Sequence, residues 1–209
     1  MESDNSMKMD CDIKRCKFIG KIHSINQEFG FASPEVKMKL FNIYATSYYG
    51  SSLYQLYSDQ CNKLYSAYNI CVRDAFSVPR RTHNYLIETI SECVHPKIMI
   101  MSRFVTFIDT LLKSNKPSLL FLANLVKDDN GTVCGKNLSK IAELGDTTTE
   151  NLSSHYVQKN MKFCPIPEEE LWRVTMLTEM LLYRNCDFVK TDNFLNEVIN
   201  DIIDMVCTC

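Results

Sequence analysis

Residues 33–47 read SPEVKMKLFNIYATS, and this stretch contains three signals that start an α-helix. Ser33 supplies a hydroxyl that can cap backbone N–H groups, Pro34 fits the first helical position, and Glu35 places a negative charge in the first turn. The residues that follow recur at helical spacing. We expect them to form one buried face: Val36, Leu40, Ile43, Tyr44 and Ser47.

Similar signals recur along the chain, at Thr82, Pro96, Pro117, Pro167 and Asp192. The sequence has only 6 Gly and 6 Pro in 209 residues, and scarce breakers favour long helices over a many-turned β-sandwich. We therefore predict an all-α protein of roughly eight helices, with more than half of the residues helical and little or no sheet. Periodicity predicts these further inward positions: Ile13, Phe18, Ile22, Ile25, Leu64, Tyr65, Tyr68, Val72, Ile98, Met101, Val105, Ile108, Leu112, Leu119, Leu120 and Leu125.

Composition divides the chain into four segments. Residues 1–11 are polar, Met-rich and unpatterned, which predicts a disordered start. Residues 12–144 carry the helical patterns of one domain, and residues 145–166 read as a linker because Gly, Thr and Ser are concentrated there. Residues 167–209 predict a C-terminal helical hairpin, whose two helices are expected to pack through Leu177, Leu181, Val198 and Ile202.

Targeting signals and disulfide patterns are missing from the sequence. No run approaches the roughly 20 apolar residues that cross a bilayer, and the start has no apolar signal core. The 10 Cys are scattered without a Cys-x-x-Cys motif, which predicts free thiols in a reducing compartment and no structural zinc site. We expect an intracellular protein of the cytoplasm or nucleus, not secreted and with no membrane partner.

The net charge of -2 is distributed unevenly. Residues 1–12 carry one Lys against four acids, and residues 84–209 carry twelve Lys and Arg against seventeen acids. Residues 13–83 carry ten Lys and Arg against four acids, so the basic excess lies in one third of the chain. Such asymmetry is typical of a face that binds a polyanion, and the alternative is a chance imbalance on a solvated surface.

Motifs for catalysis are scarce. Asp128 and Asp129 form the only Asp-Asp pair, and two-metal phosphoryl transfer needs such carboxylates together with a third from elsewhere. The run before them is predicted to be helical and Asn130-Gly131 follows, so the pair is typical of a turn. The sequence has no Gly-x-Ser-x-Gly, His-Glu-x-x-His or phosphate-binding Gly-rich motif. We predict no catalytic residues, no metal, no cofactor and no small-molecule substrate.

Aromatic and basic residues are interleaved over residues 41–87, where Tyr is concentrated and Arg73, Arg80 and Arg81 follow. On a nucleic-acid surface Arg neutralises phosphates and Tyr stacks on bases or sugars. The alternative is that the Tyr rings fill a core with their hydroxyls at its rim.

The order of short blocks in this stretch resembles a known family. It is similar to the region after the palm in reverse transcriptases of non-LTR retrotransposons, which are RNA-directed DNA polymerases. The resemblance begins near Asp12 and runs to residue 144, and the stretch from Glu170 to Cys207 is similar to the terminal helices of the same open reading frames. The blocks that carry it are Tyr44, Thr46-Ser47, Tyr49-Gly50, Leu53, Leu56, Tyr65-x-Ala67-Tyr68, Arg73, Pro79 and Arg81-Thr82-His83.

The resemblance implies a thumb-like helical bundle over residues 12–144, followed by a C-terminal helical pair. Tyr54, Tyr68 and Arg80 stand where the family usually has Trp, Trp and Tyr. The catalytic aromatic-x-Asp-Asp hairpin of the family precedes this region, and nothing in the sequence matches it. The chain is therefore expected to be a non-catalytic fragment that grips a nucleic-acid duplex through its backbone. The alternatives are a helical protein–protein interaction module with no nucleic-acid role and an enzyme of unrecognised type.

Four residues are the candidates for nucleic-acid binding: Arg73, Arg80, Arg81 and His83. A helix over residues 60–77 places Arg73 one turn before its end. Pro79 then sets a bend and Thr82 starts the next helix, so the four side chains are expected to cluster at one helix–helix corner. Asp74 is the nearest acid in the sequence. The alternative is that Arg81 and Thr82 only cap and brace the corner.

Overall fold

The structure is a computed structural model that describes residues 2–91, 93–149, 151–161, 166–184 and 193–208. The protein is 76% helical, and the described residues contain no strand. The prediction of an all-α fold is therefore confirmed. Ten α-helices lie in the described part of the chain, close to the roughly eight that helical periodicity predicts.

Two single turns of 3-10 helix, Ser51–Leu53 and Glu168–Glu170, precede α3 and α9. The α-helices are α1 (Glu2–Glu28), α2 (Pro34–Ala45), α3 (Asp59–Phe76), α4 (Asn84–Ser91), α5 (Pro96–Leu112), α6 (Pro117–Asp128), α7 (Val133–Leu144), α8 (Ser154–Asn160), α9 (Leu171–Arg184) and α10 (Asn193–Thr208).

Two compact units make up the chain, and the first consists of residues 1–13, 47–65 and 94–163. Its central element is α5, which contacts α6, α8 and the Ser51–Leu53 turn. The face of α5 that the sequence predicts is largely buried, since Ile98, Met101, Val105 and Ile108 are all inaccessible to solvent.

The second unit consists of residues 14–46, 66–93 and 164–209. Three buried rings form the centre of its core. Phe18 of α1 lies 5.5 Å from Phe41 of α2, and Tyr68 of α3 lies 6.3 Å from Phe18 and 6.0 Å from Phe41, measured between ring centroids. The two pairs that Phe18 forms are edge-to-face, an arrangement that stabilises a core beyond the burial of the rings alone. In the same unit α9 packs against α10 and α4 packs against α9.

Helix α2 begins where the sequence predicts but buries the opposite face. Ser33 precedes the first turn, although its hydroxyl makes no capping bond, and Pro34 is the first helical residue. Ile43 and Tyr44 are exposed, as is Val36, whereas Phe41 is buried. The prediction is wrong because α2 has apolar residues on both sides, and the side that carries Phe41 packs against Phe18 and Tyr68.

Two further helices bury faces other than the predicted ones. The buried residues of α10 include Ile199 and Ile203, one position after the predicted Val198 and Ile202. On α9, which packs against α10, the predicted Leu177 and Leu181 are buried. In α10 apolar residues occur as adjacent pairs, so periodicity alone does not determine which member of each pair is buried. On α6 the predicted inward residues Leu120 and Leu125 are exposed, and Ala123 is buried instead.

Residues 2–11 of the segment predicted as a disordered start lie in α1, which begins at Glu2. Contacts within the first unit hold this segment. The hydroxyl of Tyr54 donates to the Asp10 carboxylate, and the backbone N–H of Gln55 lies 3.3 Å from the Met7 sulfur. A helix end that finds such tertiary partners does not depend on its own propensity.

The predicted linker at residues 145–166 contains helix α8. Ser153 caps α8 by accepting the N–H of Tyr156 at 3.1 Å, and Val157 is fully buried in the first unit. The two units are also built from interleaved segments, so they do not match the predicted division into residues 12–144 and 167–209. Asp192, the predicted start of the last helix, lies outside the described residues.

Membrane-spanning potential is missing from the described helices. None of them combines the length and the apolar character that crossing a bilayer requires.

The aromatic cluster of the second unit generates a stability prediction. Phe18→Ala should lower the free energy of unfolding by about 3–5 kcal/mol, because a fully buried ring is lost and leaves a cavity between Phe41 and Tyr68. Urea denaturation followed by circular dichroism measures the change. Phe31→Ala is the matched control, since Phe31 is 89% exposed, and it should change stability by less than about 0.5 kcal/mol. Equal losses in the two variants would contradict the assigned core.

Candidate nucleic-acid interface

The corner between α3 and α4 is a fixed structure. Helix α3 ends with Ser77 in the left-handed region at φ +51°, and the N–H of Val78 donates to the Arg73 carbonyl at 3.0 Å. This bond closes the helix end in the manner of a Schellman motif. Pro79 begins a turn that the N–H of Thr82 closes by donating to the Pro79 carbonyl at 3.0 Å. The predicted bend at Pro79 therefore exists.

Arg73 lies inside this corner. It is only 9% exposed, and its Nη2 donates to the Thr82 carbonyl and, at 3.0 Å, to Oδ1 of Asn84. Burial lowers the pKa of the Arg73 guanidinium. Arg73 therefore differs from the other three predicted residues. It braces the corner from within and is not a surface contact for a phosphate.

Arg80, Arg81 and His83 lie on the outside of the same corner and are exposed. Neither Arg80 nor Arg81 forms a hydrogen bond or ion pair with the described part of the chain. The His83 ring stacks on the Tyr85 ring, with centroids 5.4 Å apart and planes inclined by 17°. The structure therefore brings together three of the predicted residues at one surface.

Thr82 does not start α4 as the sequence predicts. It is buried, and its hydroxyl donates back to the Pro79 carbonyl at 2.7 Å. Helix α4 begins two residues later, and the N–H groups of Leu86 and Ile87 both point to the His83 carbonyl. Thr82 belongs to the turn before the helix, because its N–H and its hydroxyl both donate to the Pro79 carbonyl.

An acid that contacts Tyr85 comes from a distant part of the sequence. The Tyr85 hydroxyl donates to Glu170 at 3.3 Å, and the same Glu170 carboxylate forms an ion pair with Nε of Arg173 at 2.5 Å. Asp74, the nearest acid in the sequence, makes no such contact with these two rings among the described interactions. Because Arg173 compensates Glu170 locally, the carboxylate does little to reduce the positive charge of the corner.

A second arginine, which sequence reasoning missed, closes the end of α3. Nη1 of Arg184 donates to the Ser77 carbonyl at 3.1 Å, and Nη2 donates to the Phe76 carbonyl. These carbonyls belong to the orphan acceptors at a helix C-terminus, where a cation is also favoured by the helix dipole. Ser77 and Arg184 are 107 positions apart in the sequence, so no local signal points to this contact.

Cys207 of α10 is buried in the same region of the second unit. Burial raises the pKa of its thiol, although a hydrogen bond with Thr82 and the charges of Arg184 and Arg73 act in the opposite direction. A thiol that is buried and protonated behaves as a small apolar side chain.

The Asp128-Asp129 pair lies at the end of α6. Oδ1 of Asp129 accepts the N–H of Gly131 at 2.7 Å, and the Asp129 carbonyl accepts the N–H of Thr132 at 3.0 Å. These bonds form the turn that the sequence predicts. The side chain of Asp128 lies outside the described residues. Within the described ones, no group of three or more His, Cys, Asp and Glu lies close enough together to hold a metal ion.

A buried thiol pair is a further cluster that sequence reasoning did not find. Cys11 of α1 and Cys61 of α3 form a hydrogen bond that lowers the pKa of Cys61, with Ser58 and Tyr65 acting in the same direction and burial opposing them. Both thiols are inaccessible to solvent. Reactive cysteines are at least partly exposed, so this pair is part of the core of the first unit.

His95 caps helix α5. Its Nδ1 accepts the N–H of Lys97 at 3.1 Å, its ring meets the Tyr65 ring at 5.9 Å, and its side chain is buried. Burial, with a smaller contribution from the Lys97 charge, lowers the pKa of His95 to about 3. The imidazole is therefore neutral in the folded protein at physiological pH and acts as a cap, not as a base.

Comparison of the chain with protein-family models, with curated proteins and with solved structures found no match.

The depressed pKa of His95 generates a pH prediction. In the unfolded chain the imidazole takes up a proton near pH 6.5, whereas the folded protein resists protonation down to about pH 3. The unfolded state therefore binds more protons below pH 6.5, and stability should fall by up to about 1.4 kcal/mol per pH unit as the pH decreases through this window.

His95→Asn isolates this effect, because Asn retains a cap acceptor and does not titrate. Urea denaturation of both proteins from pH 7.5 to pH 5 should give a stability difference that is constant above pH 6.5 and shrinks below it. A difference that stays constant over the whole range would contradict the neutral buried imidazole.

Proposed function

We propose that the chain is a non-catalytic helical protein that binds the phosphate backbone of a nucleic-acid duplex through the corner between α3 and α4. The observation that carries this proposal is the exposure of Arg80 and Arg81 without an acid partner in the described part of the chain, on a corner that Arg73 fixes from within. The guanidinium groups are free to form charge-assisted hydrogen bonds with phosphate oxygens.

The fixed corner favours binding for a second reason. Ordering a loop on association costs free energy that is subtracted from the contacts made. The bonds of Arg73 and Thr82 order this loop before any ligand arrives. Contacts with phosphates position a protein on a duplex without reading its sequence, so binding should be similar for all sequences.

The resemblance to reverse transcriptases of non-LTR retrotransposons supports the same site. The block Arg81-Thr82-His83, which is part of that resemblance, occupies the corner. By this resemblance the chain corresponds to the thumb and C-terminal region of an RNA-directed DNA polymerase, without its catalytic hairpin.

A helical protein–protein interaction module is the second candidate function, and helix α6 favours it. Phe121 is 71% exposed, and Leu122 and Leu125 are also exposed on this helix. Contiguous exposed apolar residues are typical of surfaces that bind another protein. In this alternative the basic corner has no nucleic-acid role.

Duplex binding is tested by fluorescence anisotropy with a labelled duplex across a salt series. The affinity of the full chain should fall steeply as salt rises, because bound phosphates release counterions. The double variant Arg80→Ala/Arg81→Ala should bind more weakly to every sequence alike. Its salt slope should be smaller by roughly two, one for each lost phosphate contact.

The matched control is Lys113→Ala/Lys116→Ala, which removes the same charge from exposed positions in the first unit. This control should keep the salt slope of the unaltered chain. Its affinity should change only by the small amount that the loss of two positive charges causes anywhere on the surface. Unchanged affinity in the folded Arg80/Arg81 variant would mean that the corner has a structural role only and does not bind the duplex. No duplex binding by the unaltered chain would favour the interaction module.

A second prediction concerns catalysis. The purified chain should neither extend a primer nor cleave nucleic acid with Mg²⁺ or Mn²⁺ present, because two-metal chemistry needs converging carboxylates and Asp129 is engaged in a turn. Primer extension and nuclease assays measure this directly. Template-dependent extension that is lost in Asp128→Ala would overturn it.

A further inference from the structure

The second unit contains an open cleft of about 890 Å³. The residues before α2, the end of α3, the end of α9 and one face of α10 line it. Its volume lies in the range of roughly 300–1,000 Å³ that small-molecule sites occupy. The cleft is separate from the exposed residues of the corner, since none of Arg80, Arg81 and His83 lines it.

Two cations give the cleft a positive charge. Lys37 of α2 and Arg184 of α9 both line it, and none of the described lining residues is Asp or Glu. Lys37 forms no ion pair with the described part of the chain. Among the described residues, Arg184 bonds only to the neutral carbonyls of Phe76 and Ser77, and these bonds leave its charge uncompensated. An anionic group would be attracted to this site.

The nearest acid on α2 points the other way. Glu35 lies two residues before Lys37 and lines a different, smaller cavity of about 270 Å³ with Thr89 and Leu181. On a helix, residues two apart do not share a face. Glu35 therefore does not neutralise Lys37 inside the cleft.

Two amides on one face of α10 add hydrogen-bonding groups. Nδ2 of Asn200 donates to Oδ1 of Asn196 at 3.3 Å, and both residues line the cleft. This bond leaves Nδ2 of Asn196 and Oδ1 of Asn200 without a partner among the described residues. A donor and an acceptor next to each other match the edge of a nucleobase or another heterocycle.

Aromatic surface completes the lining. Phe31 is 89% exposed at the rim, and the buried ring of Phe76 lies in the wall. An exposed ring at the rim of a cleft is available to stack on a planar ligand.

We propose that this cleft binds a nucleotide, with the phosphate between Lys37 and Arg184, the base against Phe31, and the base edge at the two Asn amides. The cleft presents cations and an aromatic ring together. Cations alone suit any anion and an aromatic ring alone suits any planar molecule, so the pair favours a ligand that has both a phosphate and a base. The proposal does not depend on duplex binding at the corner, since it uses other residues.

Isothermal titration calorimetry of the full chain with AMP, adenosine and ribose 5-phosphate tests the ligand class. AMP should bind saturably, and both of the partial ligands should bind at least tenfold more weakly. If AMP does not bind, the proposal is wrong. If ribose 5-phosphate binds as tightly as AMP, the assignment to a nucleotide is wrong.

Two substitutions test the site. Lys37→Gln should weaken AMP binding about tenfold, because a charge-assisted contact to phosphate is replaced by a neutral one. Asn200→Asp, which places a negative charge in the cleft without changing the side-chain size, should weaken it by at least as much. Lys39→Gln is the matched control, since Lys39 is an exposed cation on the same helix that does not line the cleft.

The control should bind AMP within twofold of the unaltered chain, and circular dichroism verifies that each variant is folded. An equal effect of Lys37→Gln and Lys39→Gln would overturn the proposed site. Duplex affinity measured on the same variants separates this proposal from the proposed function, because Lys37→Gln should change it no more than Lys39→Gln does.

Discussion

The burial of one charged side chain, Arg73, determines the form of the corner between α3 and α4. A guanidinium removed from water costs several kcal/mol unless its N–H groups find partners. Its partners here are neutral, the Thr82 carbonyl and the Asn84 side chain, and both come after the bend. Because the guanidinium can reach them only when the chain turns as it does, one buried charge specifies the path of the loop. Arg80 and Arg81 are carried on the outside of that path.

The C-terminus of α3 explains why a second arginine lies close by. The last carbonyls of a helix lack helical partners and carry partial negative charge. Arg184 donates to two of them, at Phe76 and Ser77, and thereby holds the end of α9 against the end of α3 within the second unit. The cation that lines the cleft is thus held in place by a structural requirement of the fold.

Local signals allowed the helices to be located from the sequence, and they identified the buried face of α5 but not those of α2, α6 and α10. Helices α2, α5 and α6 begin at Pro34, Pro96 and Pro117 as predicted, because a proline at the first helical position acts through its own backbone geometry. Periodicity identifies a buried face only when the opposite face is polar. Helix α2 has apolar residues on both sides, and its buried face is the one whose Phe41 packs against Phe18 and Tyr68.

Part of the candidate site could also be located from local sequence, whereas the rest depends on contacts between distant segments. Arg80, Arg81 and His83 could be found because the bend that groups them lies within a few residues of sequence. The burial of Arg73 could not, because it depends on how the chain returns after the bend. Glu170 and Arg184 approach this region from more than 80 residues away, with no pattern in the sequence to link them to it.

These contacts also decide what kind of binding the corner can support. The charge of Glu170 is compensated by Arg173 at 2.5 Å, and Arg73 is buried. Among the described residues of the corner, Arg80 and Arg81 therefore supply the attraction for a polyanion. Two exposed guanidinium groups supply phosphate contacts and no readout of base edges. At physiological salt, interactions between exposed charges are screened beyond about 8 Å. Attraction from the corner is therefore short in range, and its dependence on salt, more than any preference for sequence, is the property by which it is recognised.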